Sequence, residues 1–204
     1  MPEIRTGHIV LLLAIIPIPV ASRAENISKE SLKLARAELS NEIENGSIAG
    51  GAHMVVHDGQ VLHFEIAGVS DIEDQTPLAT DTIMRIYSMT KPITSATAMT
   101  LHEQGKFNGK RVLKESTIAL MFTDQLNGVN DDFKFGLGFA IGEVTLGSGD
   151  AQRKATYYTW EGYAKTRVIL VPEAKLYQIF MRQTVLSTRL VAPRLFSIVY
   201  QGIE

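Results

Sequence analysis

Two short strand-like runs, separated by an Asp-Gly dipeptide, constrain this chain more than any other feature. Residues 51–57 and 61–67 each read as a strand. Asp58-Gly59 lies between them, a dipeptide that tolerates the positive φ of a tight hairpin turn. The rest of the chain supplies elements to cover such a hairpin. A helix is predicted from Ser28, with Leu32, Leu39 and Ile43 on one stripe and a stop at Gly46. An Ala- and Thr-rich stretch over about 88–105 and a shorter one over about 114–122 also read as helices. Residues 135–141, 157–171 and 175–183 are rich in aromatic and β-branched side chains and read as strands, with Pro172-Glu173-Ala174 making the last turn. A closing helix is predicted over about 193–202. Helix, hairpin, helices, strands and a final helix predict an α+β fold: an antiparallel sheet with helices on both faces.

A chain of 204 residues holds one domain with a sizeable core. Net charge is −2, with both signs interspersed, so the chain has no electrostatic footprint for nucleic acid or an anionic membrane. Residues 1–24 differ in character from the rest of the chain. Arg5 and His8 precede an apolar run from Ile9 to Val20, and Ser22-Arg23-Ala24 places small residues at the −3 and −1 positions of a cleavage site. This is the layout of a secretory signal peptide. Twelve apolar residues fall short of the roughly 20 that cross a bilayer, so a transmembrane anchor is not expected. The expectation is cleavage after Ala24, a single domain over 25–204, and a secreted or periplasmic protein. With no cysteine, disulfides, thiol chemistry and lipidation at a cysteine are excluded.

Ser88-Met89-Thr90-Lys91 is the segment on which chemistry can be built. Residues three apart share a helix face, so Lys91 can reach the Ser88 hydroxyl. A serine is a weak nucleophile until a neighbouring base takes its proton. Lysine serves as that base only as the neutral amine, and the positive end of a helix disfavours the ammonium. Spacing alone is weak evidence: twelve serines and ten lysines give about 0.6 chance matches in a chain of this length.

The surrounding residues carry more weight. Residues 51–69 with their Asp-Gly hairpin, followed by Asp81-Thr82-Ile83-Met84-Arg85-Ile86-Tyr87-Ser88-Met89-Thr90-Lys91-Pro92, resemble the N-terminal part of class C-type β-lactamases and their esterase relatives. Phe107-Asn108-Gly109-Lys110-Arg111-Val112-Leu113, Phe135-Gly136-Leu137-Gly138-Phe139 and residues 171–183 resemble later segments of that family. Trp160-Glu161-Gly162 stands where the esterase branch carries Trp-Gly-Gly and the β-lactamases carry Lys-Thr-Gly. Lys165-Thr166 is a competing match, but Arg167 replaces its glycine. The resemblance implies Ser88 as nucleophile, Lys91 as base, an oxyanion hole from the backbone N–H groups of Ser88 and Tyr163, and Trp160 as a pocket wall. It implies no metal and no organic cofactor. The partner would be a small-molecule ester or β-lactam.

Two departures set this chain apart. The family's Tyr-x-Asn or Ser-x-Asn, borne on a helical domain between the two halves, occurs nowhere here. Gly105-Lys106 runs straight into Phe107-Asn108-Gly109, as if that domain were deleted near 106–107. Loss of a general acid or base costs roughly 10²–10⁴ in rate. It also predicts exposed apolar surface around the nucleophile helix and self-association. Second, Glu161 replaces glycine or threonine, and a carboxylate there is expected to pair with Lys91 and keep it protonated. The expected function is acyl transfer through an acyl-Ser88 intermediate, weak or lost. The alternatives are a non-catalytic penicilloyl- or peptidoglycan-binding protein and a non-functional fragment. His53, His57 and His63 can be drawn as a metal site, but no carboxylate pattern completes it, and half-exposed strand histidines are common.

Overall fold

The structure, a computed structural model, describes residues 26–95, 113–129, 133–184 and 190–204. The expected leader, the 106–107 junction and most of the segment from Phe107 to Leu113 lie outside these residues.

Helix α1, Lys29–Glu44, begins where expected because Ser28 caps it: the Ser28 hydroxyl accepts from the Ser31 N–H at 3.1 Å. Strands β1, Gly50–His57, and β2, Gln60–Asp71, form the predicted hairpin. Asp58 and Gly59 both take positive φ at its turn, 45° and 75°. The short β3, Thr76–Pro77, follows, then helix α2, Glu115–Met121. Five strands come next: β4 (Lys134–Phe135), β5 (Ala140–Leu146), β6 (Arg153–Glu161), β7 (Arg167–Val171) and β8 (Leu176–Met181). Helix α3, Val191–Gln201, closes the fold. All pairings are antiparallel, in one sheet of order β3-β2-β1-β8-β7-β6-β5-β4.

Two predicted strands are each divided. Residues 135–141 break at Gly138, whose φ of 103° turns the chain between β4 and β5. Residues 157–171 fold back on themselves. The Gly162 N–H donates to the Thr166 carbonyl and the Lys165 N–H to the Gly162 carbonyl, both at 2.8 Å, closing a hairpin that carries no Asn-Gly or Asp-Gly signature.

The sheet buries both faces. On one, α1 and α3 cover Val55, Val171, Leu176 and Phe180 with Leu39, Leu195, Phe196 and Val199, all fully or almost fully buried. Each such side chain contributes about 1.5–3 kcal/mol on leaving water. Arg194 of α3 ties the two helices together, reaching Glu42 at 2.7 Å and Glu38 at 3.1 Å. On the other face Met89, Val168 and Leu170 form a second cluster, with Ile86, Phe122, Phe139 and Tyr158 packed against it. This smaller core seats the segment that carries Ser88. The arrangement is the expected α+β antiparallel sheet with helices on both faces.

Candidate active site

Ser88 lies in a single 3₁₀ turn, Tyr87–Met89, that leads into helical residues 90–95. Lys91 follows one turn later, and its Nζ donates to the Ser88 Oγ at 2.9 Å. Pro92 is buried just inside the helix, where its missing N–H costs little.

The approach to Ser88 is held at several points. Gln183, just past β8, grips Arg85 twice: its Oε1 accepts from the Arg85 N–H at 3.1 Å and its Nε2 donates to the Arg85 carbonyl at 3.0 Å. The Met89 N–H donates to the Ile86 carbonyl at 3.0 Å. Between them, Tyr87 adopts φ of 46°. That left-handed conformation costs a residue with a Cβ on the order of 1–3 kcal/mol, so the surrounding contacts must impose it.

Gly162 joins the end of β6 to this approach. A Cβ there would collide with the Ile86 carbonyl and the Thr166 hydroxyl oxygen. The absence of a side chain therefore lets the β6–β7 turn rest against the segment that carries Ser88. Tyr163 follows, lining the same cleft as Ser88. Among the described residues its N–H makes no backbone hydrogen bond.

A third element completes the cleft. Gly138 brings the β4–β5 turn against the site helix: a Cβ there would lie 3.0 Å from Pro92 Cα and 3.1 Å from Ser95 Oγ. Phe135, at the end of β4, is pinned through its backbone. Its N–H donates to Asp124 Oδ1 at 3.0 Å, and its carbonyl accepts from the Gln125 N–H at 2.8 Å. The hydrogen bonds from the Phe135 and Leu126 N–H groups hold the Asp124 carboxyl below the usual range for aspartate.

The resulting cleft is open and about 520 Å³ in volume. Ser88 and Lys91 share it with Tyr87, Phe135 and Tyr163, and with the small neutral residues Thr90, Thr94, Ser95 and Gly138. Lys91 is the only charged lining residue among those described.

Of the residues singled out from sequence, Ser88, Lys91 and Tyr163 converge on the cleft and Gly162 supports it. Trp160 stands behind the wall, its ring edge-on to Phe135 at 4.8 Å, so that Phe135 presents the lining surface. Glu161 does not meet Lys91. Strand alternation sends it to the face opposite Trp160, beside its β7 partner Arg167, on the side covered by α1 and α3. Tyr87, Thr94 and Ser95 were not anticipated. The latter two lie three and four residues beyond Lys91, so helical spacing already placed them on its face. His53 proves to be a core residue, with its Nε2 3.2 Å from Gln178 Oε1. Among the described residues no three potential metal ligands cluster.

The antiparallel sheet between two helical layers, with a serine and a lysine one turn apart at the head of a helix, gives the chain the fold of serine β-lactamase- and esterase-like proteins. Residues 35–117 match the Beta-lactamase family model. Protein Rv1367c of Mycobacterium tuberculosis is 37% identical over 71 residues, a match covering 35% of this chain and 18% of that relative. The chain thus spans less than a fifth of the curated relative. Among solved structures, EstCE1, described as a hydrolase with promiscuous acyltransferase activity, gives a TM-score of 0.67 at 11% identity, covering 84% of this chain and 99% of that one. Simvastatin synthase (LovD) from Aspergillus terreus gives 0.66 at 11% identity, covering 86% and 98%. A class C β-lactamase from Rhodobacter sphaeroides gives 0.56 at 10% identity, covering 81% and 97%.

Proposed function

We propose that this protein is a serine hydrolase that works by acyl transfer through an acyl-Ser88 intermediate. The observation that carries the reading is the 2.9 Å contact between Lys91 Nζ and Ser88 Oγ at the mouth of an open cleft. Ser88 Oγ attacks the substrate carbonyl as neutral Lys91 takes its proton. The tetrahedral oxyanion is held by the N–H groups of Ser88 and Tyr163, donors that act most strongly where charge develops. As the intermediate collapses, the bond to the leaving alcohol breaks and Lys91 returns the proton to it. Water then attacks the acyl-enzyme, giving its proton to Lys91, and Ser88 leaves with that proton as the acid departs. The likeness to a hydrolase with acyltransferase activity and to simvastatin synthase supports acyl transfer as the class of reaction. Turnover is slow, because the sequence contains no Tyr-x-Asn to assist the leaving group. The protein acts outside the cytoplasm, after removal of residues 1–24.

The same missing tyrosine favours a second reading, a binder that is acylated once and does not turn over. The test is labelling by a fluorophosphonate, located by mass spectrometry, together with hydrolysis of p-nitrophenyl acetate. Ser88→Ala should abolish both, and Lys91→Ala should slow both by roughly 10²–10⁴. Ser88 labelling without turnover would select the binder, and equal rates in all three proteins would defeat both readings.

A further inference from the structure

Folding does not account for the aromatic side of the cleft. Tyr163 is 67% exposed and Tyr87 38% exposed, so neither ring is placed by burial in a core. They nevertheless meet edge to face, with centroids 5.8 Å apart, beside Ser88. Tyr87 holds that position through a backbone conformation that residues with a Cβ avoid, φ of 46°. The third ring, Phe135, is braced edge-on by Trp160 at 4.8 Å and stacked with Phe133 at 5.8 Å. Its backbone is anchored by Asp124 and Gln125. Three rings thus gather around Ser88, in a cleft whose other described lining groups, Lys91 apart, are small and neutral.

We propose, building on the reading of Ser88 as an acylated nucleophile, that Tyr87, Phe135 and Tyr163 form a subsite for an uncharged, planar, apolar acyl group. Esters of aromatic carboxylic acids are then the preferred substrate class, and carboxylate-bearing β-lactams are poor substrates. A flat acyl group can lie against these rings in the offset or edge-on geometries that aromatic pairs prefer. A substrate carboxylate would find one cation among the described lining residues, Lys91, which the reaction requires as a neutral amine.

The test compares Ser88 labelling by two O-ethyl phosphonofluoridates, one P-methyl and one P-phenyl, each rate divided by that probe's spontaneous hydrolysis. In the labelling step Ser88 Oγ bonds to phosphorus, fluoride leaves, and Lys91 takes the serine proton. The wild type should favour the phenyl probe by roughly tenfold. Tyr163→Ala should lose most of that preference, and Tyr163→Phe should keep it, because the ring and not the hydroxyl forms the subsite. Phe135→Leu provides an independent reduction should Tyr163→Ala not fold. An unchanged phenyl-to-methyl ratio in the folded variants would overturn the subsite, as would faster labelling of wild-type Ser88 by a fluorescent penicillin than by the phenyl probe. Failure of every probe to label wild-type Ser88 would instead overturn the acyl-serine reading, and the subsite with it.

Discussion

The backbone carbonyl of Ile86 occupies the space that a Cβ on Gly162 would need. Ile86 lies two residues before Ser88, and Gly162 immediately precedes Tyr163. The two groups assigned to oxyanion binding are therefore seated against each other at one point of backbone contact, which a single methyl group would pry open.

Gly162→Ala is accordingly expected to lower Ser88 labelling at least tenfold. Forced overpacking of this kind costs about 1–3 kcal/mol, equivalent to a fall of roughly 2–12 °C in melting temperature for a chain of this size. Labelling kinetics and thermal denaturation check both. Wild-type labelling in the variant would show that the contact does not seat the site.

Glu161 is expected to be a bystander. It alternates with Trp160 away from Ser88 and faces Arg167 across the β6–β7 pair. Glu161→Gly, although it restores the Trp-Gly-Gly of the esterase branch, should leave Ser88 labelling within about twofold. A large gain would mean that the carboxylate reaches Lys91 after all.

Stability should fall with acid in a window set by histidine. His53 is buried, and burial chiefly, with His63 beside it, pushes its pKa down from 6.5 to about 3, against a smaller opposing effect of Gln178. His63 is also lowered, mainly by burial. Glu65 favours its charged form and Arg36 opposes it. A group whose folded pKa is depressed binds protons more readily in the unfolded chain. Its stabilising contribution is complete above about pH 6.5 and declines as pH falls toward the folded value. His53 alone should cost about 2 kcal/mol between pH 6.5 and 5. Denaturant melts across that range would measure it, and His53→Gln should flatten the profile. A melt independent of pH between 7 and 5 in the wild type would contradict this.

The precursor should lose residues 1–24 on export, leaving Glu25 as the new N-terminus. Mass spectrometry of the protein recovered from its host would read this directly, and a cytoplasmic chain retaining Met1 would refute it.

Self-association should run through β2. Among the described residues, β3 covers only the Val69–Asp71 end of that strand, and Val61, Leu62 and Phe64 are exposed along the rest. Uncovered apolar edges invite pairing between chains, and lysine on an edge discourages it. Sedimentation velocity should show concentration-dependent oligomers that Leu62→Lys reduces. Equal behaviour of the two proteins would place the contact elsewhere.

How far the molecule is legible in its residues depends on the range of the interactions. The α1 cap at Ser28, the hairpin at Asp58-Gly59 and the reach of Lys91 to Ser88 are all written in the amino-acid order, because each depends on residues within a few positions of one another. The succession of elements also carries the layered α+β architecture. Which ring faces the cleft, where Glu161 points, and that Tyr87 and Tyr163 meet are settled only in three dimensions. Those outcomes depend on strand register, where a shift of one residue exchanges the two faces. They also depend on a turn after β6 that has no strong local signature and is held by contacts with a segment some eighty positions earlier in the chain. Local chemistry placed Ser88 beside Lys91, and long-range packing built the surface they face.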